Sequence, residues 1–370
     1  MIYNNIVIYL GIIFSYTIYN DLMNSQLHTI TRAVQHNCHI ADAGFATDFT
    51  LCVYLMKMRE FYRWEMGQGF TAHLPQEEVG QWLRQREELW ESLEDTDYTP
   101  IIIDEQSFDP FDTEGINARL IPHGYVYSGG LGYRTKPHFF LAKLESLQEE
   151  DDYRVLVSND ELARDLGSPP AMTLGETIFI RREALRRLLW EKIEQWNWNK
   201  PDNPMARAMA MYDFKHDVDA SLDKMTDNEL TAVLMHETGE VMAGKLLGEE
   251  WEAMLMALPR SKAEFMLRAI RDHLADALST LPYLVESDNA ASIHFYLGNL
   301  SNMRKDLFPR LKAVYQEWLD SRSLAPFRQI IEISHAHWLT VARQALTIFR
   351  QQDPDWIKQI DNFIESKRLN

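Results

Sequence analysis

Residues 226–248, TDNELTAVLMHETGEVMAGKLLG, decide how this chain is read. The capping box Thr226-Asp227-Asn228-Glu229 opens the stretch, and apolar residues at helical spacing carry it to Leu247, which predicts a helix over residues 229–247. On that helix His236 and Glu240 are four apart. Their side chains leave one face a turn apart, as two ligands to a single ion require. Glu237 lies beside them. In a zinc peptidase of the His-Glu-x-x-His type both outer residues are His and the Glu is the base; here the last is Glu240, which weakens that reading. The plainer account is a half-buried helix histidine paired with a carboxylate.

A second polar stretch, Arg271-Asp272-His273-Leu274-Ala275-Asp276, falls in a helix predicted over residues 262–280 and sets His273 and Asp276 three apart. Two helices would then each offer an imidazole and a carboxylate. Carboxylate-bridged di-iron and di-manganese proteins have this layout, although they use Glu-x-x-His. The expected metal ligands are His236, Glu240, His273 and Asp276. Glu237 or Asp272 would transfer protons or orient an imidazole, and Arg271 would be an anion clamp or a surface charge. A third cluster, His36, His39 and Asp42, is spaced by threes and would serve a second ion. His123 and His294 stand singly, and His335 and His337 point to different helix faces.

Outward from these stretches, helical spacing covers residues 25–67, with a break near Gly44, and residues 76–94. Between residues 99 and 180 the texture changes to short β-prone runs, at 101–103, 125–127, 138–141, 154–157 and 177–180, separated by Gly, Pro and Asp clusters. Helices return from Arg181 to the end, with residues 197–204 as a linker. The fold class is therefore mainly α, a helical bundle with a small inserted β-hairpin or sheet region. The divisions are an apolar extension at 1–22, a helical region at 23–98, a β-containing region at 99–180 and a helical bundle at 181–370. Gly129-Gly130-Leu131-Gly132 reads as a hairpin loop, since it lacks the GxGxxG spacing. Gly239 to Leu246 imitates a phosphate loop but lacks the Ser/Thr and sits in a helix.

Composition narrows the function. Thirty-seven Lys+Arg against fifty-five Asp+Glu give a net charge of -18, which repels phosphate backbones and argues against nucleic acid. The densest basic run, Arg181, Arg182, Arg186 and Arg187, has helical period and reads as a solvated face. Cys38 and Cys52 are too few for a disulfide framework, which fits a reducing, cytoplasmic setting. Residues 6–19 are apolar and uncharged, but shorter than the ~20 residues that span a bilayer. They lack a basic flank and a cleavage site. Membrane anchoring through them is the alternative to an upstream extension before Met23.

The phrases HNCHIADA (36–43), YLMKMREFYRWE (54–65), KPHFFLA (136–142), HETGE (236–240), RDHLADALSTLP (271–282) and SIHFYLGNL (292–300) together resemble a Sfum-type family of bacterial proteins, a domain of unknown function. The resemblance runs over most of the chain from Met23. It implies no activity, and it implies that residues 1–22 fall outside the usual family pattern.

The leading expectation is a metal-dependent enzyme holding a divalent ion, iron or manganese before zinc, with oxidoreductase chemistry on a small-molecule or protein substrate that the sequence does not specify. A zinc hydrolase using Glu237 as base is the second reading. The third is a helical interaction or scaffold protein in which the same groups form a buried polar network.

Overall fold

The computed structural model describes residues 26–131 and 136–370. The extension 1–22, with its apolar run at 6–19, lies outside the described residues, as does Gly132. The chain is mainly α with an inserted β region, as the sequence predicts. It divides into two compact units between Arg187 and Leu188.

In the first unit α1 (26–45) passes into one 3-10 turn, Ala46–Asp48, beside the expected break at Gly44. Helices α2 (Leu51–Glu65) and α3 (Gln76–Leu93) follow. A small antiparallel pair, β1 (Ile101–Ile103) and β2 (Gln106–Phe108), leads to α4 (Thr113–Leu120), whose cap Asp112 accepts from Gly115 N. The strands β3 (Tyr125–Leu131), β4 (Pro137–Glu149), β5 (Arg154–Arg164), β6 (Ala171–Leu174) and β7 (Thr177–Arg181) then form one sheet in the order β3-β4-β5-β7-β6. All neighbours are antiparallel except β5 and β7.

Strand β4 shows why helices and sheet share one core here, where the sequence separates residues 23–98 from 99–180. Side chains alternate across a strand. Phe139 and Leu141 pack with Ile30, Val34 and Cys38 of α1, while Phe140 and Ala142 pack on the opposite face with Val126, Leu156 and Phe179. Gly129 and Gly130 are strand residues opposite Phe139 and His138 rather than a loop. A Cβ on Gly129 would come within 2.1 Å of the Pro110 carbonyl, so the close passage of the chain over β3 selects glycine.

The basic run is not a solvated face. Arg181 is fully buried, its Nε donating to Glu161 Oε1 at 2.7 Å and its Nη2 to Ser168 Oγ at 2.9 Å. Arg187 is buried too and donates to Glu183 at 2.8 Å, while Arg182 and Arg186 are half-buried. Buried guanidiniums require carboxylate partners. Glu161 and Glu183 supply them, and helical period alone does not reveal which face they cover.

The second unit contains α5 (Arg182–Asn197) from Leu188 onward, α6 (Pro204–Met209), α7 (Val218–Leu247), α8 (Glu249–Met256) and α9 (Lys262–Ala275). After α9 the helix widens into a π segment, Asp276–Thr280, and continues as α10 (Leu281–Glu286). Then come α11 (Ala290–Asn299), α12 (Asn302–Leu307), α13 (Pro309–Ser321), α14 (Ala325–Arg350) and α15 (Trp356–Glu365). Helix α7 begins well before the predicted capping box. Its cap is Asp217, which accepts from Ala220 N, and Thr226 lies inside the helix with its hydroxyl donating to Leu222 O at 2.7 Å. Leu222 and Met225 are fully buried, so the apolar spacing extends upstream and overrides the local cap signal. Trp251, Leu267, Ile270, Leu274, Trp338 and Leu346 mark the apolar core of this unit. Among the described residues no helix is long and apolar enough to cross a membrane.

The buried Glu161–Arg181 pair generates a stability prediction. Glu161→Gln leaves a guanidinium without its countercharge and should cost about 3–5 kcal/mol. Urea unfolding with amide exchange read on residues 125–181 measures it, and unchanged protection would refute the assigned role.

Candidate metal centre

Helices α7 and α9 cross at Gly239. A Cβ there would fall 2.2 Å from Ala275 O and 3.0 Å from Ala275 Cα, so only a glycine lets the two backbones approach this closely. One residue further on, at Asp276, the π segment begins. Together these features put residues of α7 one helical turn either side of the crossing against the end of α9.

His236 Nδ1 stands 2.8 Å from Asp276 Oδ1. The other carboxylate oxygen accepts from Tyr296 OH at 2.6 Å and from Arg304 Nη2. Asp276 is 1% exposed, so these donors are what make its burial tolerable. An ionised acceptor at Nδ1 fixes the tautomer, with N–H toward Asp276 and the lone pair on Nε2. Nε2 lies 3.7 Å from Glu240 Oε1. His236, Glu240 and Asp272 each offer one ligand atom, and these atoms all lie within 4.8 Å of one another. Two ligands on one ion at ~2.1 Å are at most ~4.2 Å apart, so a small side-chain adjustment closes the group around an ion. His236 is 27% exposed and Glu240 20%, which leaves a side open to solvent.

The surrounding charge is mixed. Arg271 donates to Glu240 Oε1 at 3.0 Å and to Glu252 Oε1 at 3.4 Å. Four carboxylates, of Glu240, Glu252, Asp272 and Asp276, thus meet two guanidiniums, of Arg271 and Arg304. Burial pushes the Arg271 guanidinium down, but Glu240, Asp272 and Glu252 outweigh it and hold the group charged.

The predicted ligands are partly regrouped. His236 and Glu240 come together as expected. Asp276 is the hydrogen-bond partner that orients His236, and Asp272, expected in that supporting role, stands among the candidate ligands. His273 is not brought to the group. Its Nε2 donates to Arg304 O at 3.0 Å, and its ring stacks on Trp338 at 4.9 Å in the core. Burial and Arg304 pull its pKa well below the usual imidazole value, which keeps it neutral. Glu237 is buried and does not join the group.

The N-terminal cluster does not converge. His36 lines a shallow groove of about 500 Å³ with Arg32, Gln35 and Leu89. His39 is taken up by Arg86, whose Nη1 reaches the ring nitrogens at 2.5 and 3.1 Å, and by Trp90 Nε1 at 3.3 Å. Burial and Arg86 lower its pKa to about 3, and a guanidinium in that position repels a metal ion. Asp42, three residues on, accepts instead from Leu166 N at 2.8 Å. His294 is satisfied by Tyr315 OH at 2.8 Å.

Tyr296, Arg304 and Gly239 are not legible as site residues in the sequence. Tyr296 and Arg304 belong to helices distant in sequence, and a glycine inside a helix gives no sign of which backbone approaches it.

Comparison with known proteins identifies the family of the chain. A family of unknown function (DUF6866) matches through its N-terminal domain over residues 29–181 and through its C-terminal domain over residues 186–367. No curated protein and no solved structure matches the chain.

The packing around α7 is open to test at two positions. Gly239→Ala should cost about 1–3 kcal/mol by overpacking the crossing and should break the His236–Asp276 hydrogen bond; denaturation and the nitrogen chemical shifts of His236 read both. Glu229, seven residues before His236, accepts from Ser292 Oγ at 2.9 Å, and burial pushes its carboxyl up to about 7 although that hydrogen bond opposes it. The unfolded chain loses this proton near the ordinary value of 4.5, so stability declines as pH rises from there to about 7 and is flat above. The decline is ~1.4 kcal/mol for each pH unit crossed. Glu229→Gln should therefore stabilise the protein by a few kcal/mol at pH 8 and hardly at pH 4. Melts at both pH values check it.

Proposed function

The chain belongs to the DUF6866 family of unknown function through both of its domains, and we propose that its C-terminal unit is a metal-dependent enzyme centre holding one divalent ion between His236, Glu240 and Asp272. The observation that carries this reading is the Asp276 carboxylate on His236 Nδ1. It leaves the imidazole lone pair on Nε2, 3.7 Å from Glu240 Oε1, the arrangement by which proteins orient metal-ligating histidines. One nitrogen and two carboxylate ligands suit iron(II) or manganese(II), and an ion held by three protein ligands keeps positions open for oxygen or substrate. Oxidoreductase chemistry is the class this donor set favours. In it His236 binds, Asp276 holds the imidazole tautomer, and Arg271 positions Glu240. Zinc with Glu237 as base is less supported, because the group offers a single imidazole and no thiolate. The free thiols of Cys38 and Cys52 are in keeping with a reducing, cytoplasmic setting.

A second reading has its own observation. The Arg271–Glu240 and Arg304–Asp276 pairs already satisfy much of the cluster, as a structural polar network would. Metal analysis separates the two. Protein stripped with chelator and reloaded with manganese(II) or iron(II) should bind about one equivalent. His236→Ala and Asp272→Asn should abolish binding with the fold retained, Asp276→Asn should weaken it roughly 10–100-fold, and His273→Ala should destabilise without removing the site. No metal in the wild type, or equal binding in His236→Ala, contradicts the enzyme reading and leaves the polar network.

A further inference from the structure

The N-terminal unit contains a second arranged imidazole that the metal centre does not involve. His138, on β4, places Nδ1 2.9 Å from Asp165 Oδ2. The Asp165 side chain is fully buried, and its other oxygen accepts from Ser168 N at 2.5 Å. Against the upward push of burial, His138, Lys136 and Arg181 hold its carboxyl far below the usual carboxylate range. An ionised acceptor on Nδ1 leaves the lone pair of His138 on Nε2. The ring retains 11% exposure, and Gly167 lies along its edge: a Cβ there would be 3.1 Å from His138 Cε1 and 3.2 Å from Asp165 Oδ1.

Two ammonium groups stand beside this dyad. Lys136 is 9% exposed, and its hydrogen-bond acceptor among the described residues is Asp42 Oδ1 at 3.5 Å, long for a charged pair. Lys57 Nζ lies 3.5 Å from Gly167 O, and both ammoniums lie 5.6 Å from the centre of the Phe49 ring. An ammonium has three donors, and among the described residues the buried Lys136 meets one acceptor, at a long distance. The neighbouring carboxylates are already engaged. Asp42 Oδ2 takes Leu166 N, and both Asp165 oxygens are engaged.

We propose that this cluster is a second site, which binds a phosphate or phosphate monoester through Lys136 and Lys57 and takes its proton on His138. Two ammoniums and one basic nitrogen match a doubly charged oxyanion better than a carboxylate. In the step, one proton moves from a P–OH oxygen of the bound monoanion to Nε2. The resulting imidazolium is paired with Asp165, the dianion faces the two ammoniums, and no bond to phosphorus is made or broken.

Inorganic phosphate titrated into the full chain, with the ring nitrogens of His138 followed by long-range proton–nitrogen NMR, tests this. Without phosphate the Nδ1–H tautomer is expected. Phosphate should drive both nitrogens toward imidazolium in a saturable way that acetate does not reproduce. Lys136→Gln and Lys57→Gln should each weaken the response about tenfold. Lys57 is half-buried on a helix, so that variant tests binding without threatening the core. No saturable change at His138, an equal response to acetate, or undiminished affinity in folded Lys57→Gln overturns the proposal.

Discussion

Asp276 carries its carboxylate into the C-terminal unit with 1% of its side chain exposed, and a charge so desolvated persists only where donors meet both oxygens. Those donors come from His236 on α7, Tyr296 on α11 and Arg304 on α12. One side chain therefore ties three helices to the widened turn that follows α9. The close crossing at Gly239 and the π segment both serve this bond. The first brings α7 near enough, and the second departs from regular α geometry at the residue that must reach it. With the imidazole so held, its second nitrogen lies 3.7 Å from Glu240 Oε1, and Asp272 lies close by.

The N-terminal unit meets the same constraint by different means. Its sheet is covered on both faces at β4, so the polar groups that enter there must be paired internally. Arg181 with Glu161, and His138 with Asp165, are such pairs, and each engages Ser168 as well, through its hydroxyl or its backbone N–H. A chain with a net charge of -18 thus buries several of its cations against its carboxylates. The surface charge excess and the interior ion pairs are separate features of the sequence, and only the first is visible in composition.

What can be read from the sequence is what local periodicity encodes. The helical texture on either side of a β-containing middle, the first strand at 101–103 and the His236/Glu240 face all follow from spacing within one element. The start of α7 departs from its expected place because Thr226-Asp227-Asn228-Glu229 is a valid cap signal in isolation, and the burial of Leu222 and Met225 outweighs it. Strand β6 and helix α4 escape because they are short and weakly patterned. His273 and Asp276 look equivalent to His236 and Glu240 by spacing. The core placement of His273 against Trp338, and the π turn at Asp276, depend on packing partners that no spacing encodes. His39 departs for a related reason, since its ring meets Arg86 and Trp90 from another helix.

Anomalous scattering at the manganese edge from crystals soaked in manganese(II) tests the central claim most directly. The account predicts one strong peak bounded by His236 Nε2 and by oxygens of Glu240 and Asp272 at ~2.0–2.3 Å, with the Asp276 hydrogen bond to Nδ1 intact. The absence of a peak between those residues at saturating manganese, with Arg271 still paired to Glu240, would contradict it.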